Sequence, residues 1–536
     1  MTTALHAGTM QPYALTLDQF IDHAASWHGA AEVVTGGSGG ASARIGYAGL
    51  RDRAKRLSGA FRALGLEAGD NLGVMAWNSQ AHMECWYGAV GIGIVCHTLN
   101  PRLAPAHLAT MIAQAGNRVL AVSPDLVPLA EQLAPLCSSL AHIVVLDEPG
   151  AAITLPACAG VTGWRYEDLL EQLGEELPWG GFDEEAPAGL CFTSGTTGMP
   201  KGVSYTHRSN YLHTLHQLQM DASGLSGRDT LLVAVPMFHA NGWGFPFSGP
   251  ACGAKLVFPG RYQDGASLAR LINDEQVTMA AGVPTVWLGL VDYLDATGGE
   301  VPSLERVMLG GSAVPQALMD RFEQRLGAVV QTSWGMTELS PLGTTTPANA
   351  PVRSATKSGR PPLGVDLLLT DAEGVALPEQ RGPEGRLKVR GASVVERYFG
   401  HDEPAVDAGG WFDTGDLAVI DAQGNISITG RAKDLIKSGG EWINPGEIEA
   451  IVGALPEIAQ VAVIGRAHAK WGERPILVIE PRKGAAIADE ALLAALRGEV
   501  ASWWLPDAII RLTAMPLALT GKIDKARLRA EHGAAA

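Results

Sequence analysis

From the N-terminus to about residue 345, apolar residues at helical spacing alternate with short β-rich runs, and this alternation constrains the fold more than any other feature. Leu50, Ala54, Leu57, Phe61 and Leu64 mark one face of a helix, and residues 72–76 then read as a strand. Further strands are expected at 119–122, 143–146, 231–235 and 306–309. Such alternation predicts an α/β fold of mostly parallel sheets covered by helices. From 351 to 430 the texture changes to short strands broken by Gly, Pro and Asp, at 365–369, 385–389, 417–420 and 425–429. That pattern predicts a small, mostly antiparallel, β-barrel-like subdomain. Gly430-Arg431-Ala432-Lys433-Asp434 then reads as a joint. Beyond it, Asn444 is a helix cap, with Pro445 at the first helical position and Glu447 at the capping-box position. A strand is expected at 461–464. A chain of 536 residues is too long for one core. The expected division is a large domain, 1–430, containing the β subdomain 351–430, and a small α+β domain, 431–536.

Between two strand-like runs lies Thr193-Ser194-Gly195-Thr196-Thr197-Gly198-Met199-Pro200-Lys201-Gly202. Glycines let backbone N–H groups approach closely, hydroxyls donate hydrogen bonds, and a lysine supplies a point charge, a set that suits a polyphosphate. A Walker loop requires glycine before the lysine, Ser or Thr after it, and a helix starting there. Here Pro200 precedes Lys201, Gly202 follows it, and Val203-Ser204-Tyr205 alternates like a strand. The segment is a strand–loop–strand phosphate grip of another kind.

The formal charge of −16 argues against nucleic-acid binding, which needs a basic face. Six cysteines fall in the first half without metal-site or disulfide spacing, as expected of buried, reduced thiols. The N-terminus has no signal-peptide pattern, and no apolar run is long enough to span a bilayer. The expectation is a cytoplasmic protein, with a homodimer as the default assembly.

The grip is followed, in order, by Gly310-Gly311-Ser312-Ala313, Ser333-Trp334-Gly335-Met336-Thr337-Glu338, Trp411-Phe412-Asp413-Thr414-Gly415-Asp416, the joint running on to Lys437-Ser438-Gly439-Gly440-Glu441, and Thr520-Gly521-Lys522-Ile523. Together these resemble the adenylate-forming superfamily of acyl-CoA synthetases, luciferases and peptide-synthetase adenylation domains. Residues 236–243, 282–287 and 438–443 resemble bacterial medium- and long-chain fatty-acyl-CoA ligases and their short-acid relatives.

The resemblance implies two half-reactions: a carboxylate attacks the α-phosphate of Mg-ATP to give acyl-AMP and pyrophosphate, and the thiol of CoA then displaces AMP. It implies that Thr193, Ser194, Gly195, Thr196, Thr197, Gly198 and Lys201 hold the β- and γ-phosphates. Gly311, Ser312, Ala313, Trp334 and Gly335 fall at nucleotide-binding positions, with Trp334 where the family usually has tyrosine. Glu338 is the expected magnesium ligand, a hard carboxylate donor beside phosphates and waters, and Thr337 an α-phosphate donor. Asp416 is expected on the ribose hydroxyls, and Arg431 on ribose or phosphate. Lys522 is the expected catalytic cation, stabilising charge that builds as two anions meet. Lys433 occupies the hinge position. Lys437, Ser438, Gly439, Gly440, Trp442 and Arg102 fall at CoA-binding positions. His239, Gly242, Trp243, Gly282, Val283 and Pro284 are expected to line the acyl pocket. These acyl segments contain no basic residue, so a second carboxylate would be buried unpaired. The expected substrate is a monocarboxylic acid with an apolar tail, medium-chain or longer. The alternatives are a short sulfur-containing or an aryl acid, or loading of a free-standing carrier protein instead of CoA.

Overall fold

The computed structural model describes residues 9–193, 200–312, 314, 316–351, 353–439, 441–518 and 523–534. Two large sheets carry the first two thirds of the chain. One has seven strands in the order Thr162–Arg165, His142–Val145, Val119–Val122, Asn71–Met75, Val95–Thr98, Pro187–Phe192, Gly202–Thr206. All its pairings are parallel except the last, which joins the strands flanking the phosphate grip. The other has eight, in the order Leu342–Thr345, Val329–Gly335, Arg306–Leu309, Met279–Gly282, Thr230–Val233, Lys255–Phe258, Glu32–Gly36, Ser42–Gly46, antiparallel only at its two edges. Parallel neighbours require crossover connections, and helices such as Gly265–Glu275 and Pro284–Thr297 supply them.

One core joins the two sheets. Leu72, Val74 and Val119 of the first and Leu231, Val233 and Met279 of the second share it with Leu50, Ala54, Leu57 and Phe61 of the helix Tyr47–Ala63. The helix Gln80–Val90 is buried from Ala81 to Val90, including Trp86 and Tyr87, because it lies in the same core. No described helix is long and apolar enough to cross a membrane.

The expected barrel-like subdomain is an open four-stranded antiparallel sheet, Val365–Thr370, Glu384–Gly391, Phe412–Ile420, Ile426–Arg431. Its end strands do not pair, since four strands are too few to close around side chains. A five-stranded sheet follows, built on the hairpin Ile458–His468 with Gly472–Pro481. Asn444 caps the helix Pro445–Gly453 by accepting from Gly446 N at 3.0 Å. Among the described residues the reciprocal Glu447 bond is not formed; burial, and then the charge of Glu384, raise the Glu447 pKa.

Asp18, at the start of the helix Asp18–Trp27, is 5% exposed, and its Oδ1 has no hydrogen-bond partner. Burial pushes its pKa up to about 6. A raised carboxyl favours the folded state fully below about pH 4, and that contribution is lost as pH rises from the unfolded value of 3.8 through about 6, at a cost of about 3 kcal/mol above it. Asp18→Asn is therefore expected to raise the thermal midpoint at about pH 8 and much less at about pH 4. Equal shifts at both pH values in melting curves would refute this.

Candidate active site

The topology collects the motif segments. Residues 236–243 follow the strand Thr230–Val233, residue 283 follows Met279–Gly282, and residues 310–312 follow Arg306–Leu309. Trp334 and Gly335 end Val329–Gly335. These four strands are neighbours in one parallel run, so their carboxyl ends form one rim, the usual ligand position in an open α/β sheet. In the other sheet, the neighbouring strands Val95–Thr98 and Pro187–Phe192 deliver Arg102 and the grip in the same way.

The base of the grip is closed by backbone and hydroxyl bonds. Thr193 N donates to Lys201 O at 2.9 Å, and Lys201 N to Thr193 Oγ1 at 3.4 Å. Ser194, Gly195, Thr196, Thr197, Gly198, Ala313, Gly440 and Lys522 lie outside the described residues. The Lys201 ammonium stands 4.7 Å from the centre of the Tyr398 ring, a cation–π contact. The Tyr398 hydroxyl donates to Glu338 Oε1 at 3.0 Å. Glu338 is 8% exposed. Burial pushes its carboxyl up, while hydrogen bonds from its own backbone and Tyr398, and the charges of Arg431 and Lys201, pull it back. Thr337 is buried beside it, its carbonyl accepting from the Tyr205 hydroxyl at 2.7 Å.

A second cluster adjoins the first. Trp334 Nε1 donates to Asp416 Oδ2 at 2.9 Å, and Arg431 Nε meets Asp416 Oδ1 at 2.6 Å. Asp416 is 2% exposed, and its backbone N donates to Thr414 Oγ1 at 3.1 Å. The indole N–H of Trp334 thus orients a carboxylate, a hydrogen bond that a phenyl ring at this position would not supply. A carboxylate accepts hydrogen bonds only, the chemistry that suits hydroxyl donors. Trp334 packs against Gly343, where a Cβ would come within 2.3 Å of its ring.

Gly335 is fixed by its neighbour's backbone: a Cβ there would sit 2.0 Å from Pro341 O. Gly335→Ala is expected to force the Trp334 and Glu338 segments apart, costing about 1–3 kcal/mol. A lower thermal midpoint together with a raised KM for ATP would bear this out, and unchanged values of both would exclude it.

The segments expected to line an acyl pocket also converge. A Cβ on Gly310 would lie 2.9 Å from the Trp243 ring, one on Gly311 3.3 Å from Val283, and one on Gly282 2.9 Å from Trp287. His239, half-buried, lines a small cavity with Thr98, Asn100, Phe192 and Phe238. The Arg102 guanidinium stacks 5.7 Å from the Phe238 ring and 5.5 Å from Trp77, placing it at this cavity's edge. Ala240, Asn241, Gly242, Trp243 and Gly244 have φ of 39°, 48°, 59°, 56° and 77°, a run of five left-handed residues. Left-handed backbone costs roughly 1–2 kcal/mol at each residue that carries a Cβ, so this turn persists only because its surroundings hold it.

Lys433 stands in the turn Ala432–Asp434, and burial lowers its pKa. Lys437 and Trp442 are cross-strand partners, with the ammonium 5.4 Å from the indole centre. Ser438 Oγ accepts from Arg474 at 3.2 Å, and Gly439 N donates to Trp471 O at 2.8 Å. Sequence reading missed Tyr398, which links Lys201 to Glu338 from an irregular segment with neither period nor motif. It also missed His213 and Gln217, whose packing is visible only in three dimensions.

A family model described as AMP-binding enzyme matches residues 20–399, and one described as AMP-binding enzyme C-terminal domain matches 447–522. The chain belongs to the AMP-binding enzyme family, within the adenylate-forming superfamily. It is 39% identical to a 3-methylmercaptopropionyl-CoA ligase of Ruegeria lacuscaerulensis, with 98% of each chain covered. It is 40% identical to a medium-chain-fatty-acid–CoA ligase of Ectopseudomonas oleovorans, covering 98% of this chain and 97% of that one. A long-chain-fatty-acid–CoA ligase of Thermus thermophilus is 38% identical over the same shares, 98% and 97%. Among solved structures, ATP-bound MatB from Rhodopseudomonas palustris superposes with a TM-score of 0.84 at 25% identity, covering 97% of this chain and 99% of that one. An anthranilate-CoA ligase holding anthranoyl-AMP gives 0.85 at 22%, covering 97% and 98%, and bears on the fold alone.

Proposed function

We propose that the chain is an ATP-dependent acid–CoA ligase that converts a monocarboxylic acid with an apolar tail to acyl-AMP and then to acyl-CoA. The observation that carries this reading is the convergence of Lys201, Tyr398 and Glu338 with Trp334, Asp416 and Arg431. Relatives at 38–40% identity over nearly the whole chain are CoA ligases, which supports the thioester half.

Each residue has a physical task in this reading. Lys201 and the grip hold the departing pyrophosphate. Glu338 would hold magnesium, which would neutralise charge on the phosphates, and a single buried carboxylate fits the ion's preference for few protein ligands. Asp416 takes the ribose hydroxyls, held in place by Trp334 and Arg431. Trp334 stacks on the adenine. Lys522 stabilises the α-phosphate as the carboxylate attacks, and then withdraws as the chain turns about Lys433 so that the thiol reaches the acyl carbon. Lys437, Ser438, Gly439, Gly440, Trp442 and Arg102 serve the CoA channel. Trp243, packed on Gly310, closes the acyl pocket.

A short sulfur-containing acid is the second reading, supported by the 39% identical relative named for such an acid. AMP release measured over butanoate, 3-methylmercaptopropionate, octanoate, tetradecanoate and benzoate, with and without CoA, tests both. Turnover that needs CoA and is fastest with octanoate or tetradecanoate supports the first reading. Fastest turnover with 3-methylmercaptopropionate supports the second. Turnover with a carrier protein but not with CoA overturns the ligase reading.

A further inference from the structure

The helix His207–Gln217 faces inward with the wrong chemistry for a core. Its buried positions His207, Asn210, His213, Thr214 and Gln217 recur along one side, while Leu215 is 46% exposed. A helix normally turns its apolar stripe inward, so this polar face needs partners. At its C-terminal end those partners are the two halves of the active site. Gln217 Nε2 donates to Trp243 O at 2.7 Å, inside the left-handed turn. His213 presses on the same turn: a Cβ on Gly244 would lie 2.8 Å from His213 Cε1 and 3.2 Å from Gln217 Oε1. On its other side, His213 Nε2 accepts from Leu342 N at 3.1 Å, four residues beyond Glu338. Both side chains are 2% exposed. Burial lowers the His213 pKa to about 3, so the ring is neutral and its Nε2 is free to accept.

We infer that Gln217 and His213 are positioning residues: Gln217 fixes the acyl-side turn, and His213 ties that turn to the Glu338 segment, so acid selectivity is set partly from behind the pocket. The inference rests on the ligase reading above. The left-handed run Ala240–Gly244 lacks local stability, and Trp243 sits within it. Gln217 supplies the hydrogen bond that holds the Trp243 carbonyl, hence the ring's position against Gly310. Loss of that donor leaves a buried carbonyl unpaired and the turn free to rearrange. His213 is different, because it contacts both the acyl turn and the strand leading away from Glu338. Its removal reaches the acid and the nucleotide together.

The test uses the full chain and steady-state AMP release with butanoate, octanoate and tetradecanoate. For Gln217→Leu the expected result is an about tenfold rise in KM for the best acid and a flattened preference among the three acids, with KM for ATP within about twofold of the parent. For His213→Leu both KM values rise, and His213→Gln, whose side-chain oxygen can accept from Leu342 N, restores them at least in part. Thermal midpoints are read alongside. If Gln217→Leu keeps the parent's acid preference and acid KM, or lowers turnover of all acids equally with a lower midpoint, the inference is overturned. Failure of His213→Gln to recover any function while remaining folded overturns the His213 assignment. A parent enzyme inactive on all three acids contradicts the ligase reading instead, which keeps the two failures apart.

Discussion

Lys522→Ala is expected to lose about a hundred- to thousandfold in acyl-AMP formation while still converting supplied acyl-AMP and CoA to the thioester. Two anions, the carboxylate and the α-phosphate, approach each other in the first half-reaction, and negative charge grows on the phosphate oxygens in the transition state. A long, flexible ammonium placed between them acts on that state more than on the bound substrates, so its loss falls on kcat. The second half-reaction joins a thiol to an already activated acyl group and has no such meeting of anions. Pre-steady-state release of pyrophosphate measures the first step, and thioester formation from synthetic acyl-AMP measures the second. Equal losses in both would remove Lys522 from its proposed role and leave it a structural residue of the C-terminal segment. Lys522 closes the region that matches the AMP-binding C-terminal domain, residues 447–522, over three hundred residues from the phosphate grip.

Asp416→Ala is expected to raise KM for ATP about a hundredfold, with little change in KM for the acid. The carboxylate is 2% exposed and is shared by the Trp334 indole and the Arg431 guanidinium. Removing it leaves the indole N–H facing a gap, while the Arg431 guanidinium, 41% exposed, can turn to water, so the loss falls below the roughly 3–5 kcal/mol of a fully buried pair. Part of that cost falls on folding, part on the nucleotide whose ribose loses its acceptor. Asp416→Asn separates the two, because the amide keeps the volume and one acceptor oxygen but turns an N–H₂ toward one of the two donors. It is expected to hold its thermal midpoint better than Asp416→Ala and still to weaken ATP. Isothermal titration with a non-hydrolysable ATP analogue, beside melting curves, gives both numbers. A variant that melts early but binds the analogue normally would make Asp416 a structural residue.

The alternation of periods in the first 345 or so residues was enough to foresee parallel sheets, because each buried strand is a short apolar run and each crossover helix has a stripe of its own. It did not reveal that two such sheets share a core, since the burial of Leu72 and Leu231 in one cluster leaves no trace in local spacing. The subdomain at 351–430 read correctly as antiparallel strands, but whether a sheet closes depends on pairing between its first and last strands, which no local pattern records. Glycine, hydroxyl and lysine chemistry at 193–202 could be read as a candidate phosphate grip because such a device would be local in the chain. Asp416 and Arg431 were legible only through their motifs; their meeting at 2.6 Å comes from neighbouring strands of the four-stranded sheet. Tyr398 was not legible at all. It lies in an irregular stretch, and its value is that it stands between Lys201 and Glu338, residues 137 positions apart in the chain. Gln217 and His213 escaped for a different reason. Their helix, HRSNYLHTLHQ, has no apolar stripe to mark which side is buried, and the folded chain presents His207, Asn210, His213, Thr214 and Gln217 to the interior.

The most direct test of the account is acid-dependent exchange of labelled pyrophosphate into ATP by the purified chain without CoA, followed by addition of CoA. The account predicts exchange that requires both the acid and magnesium, and, once CoA is added, release of AMP with formation of one thioester per AMP. Hydrolysis of ATP to ADP, or no exchange with any acid of the panel while the chain is folded and binds ATP, would contradict it.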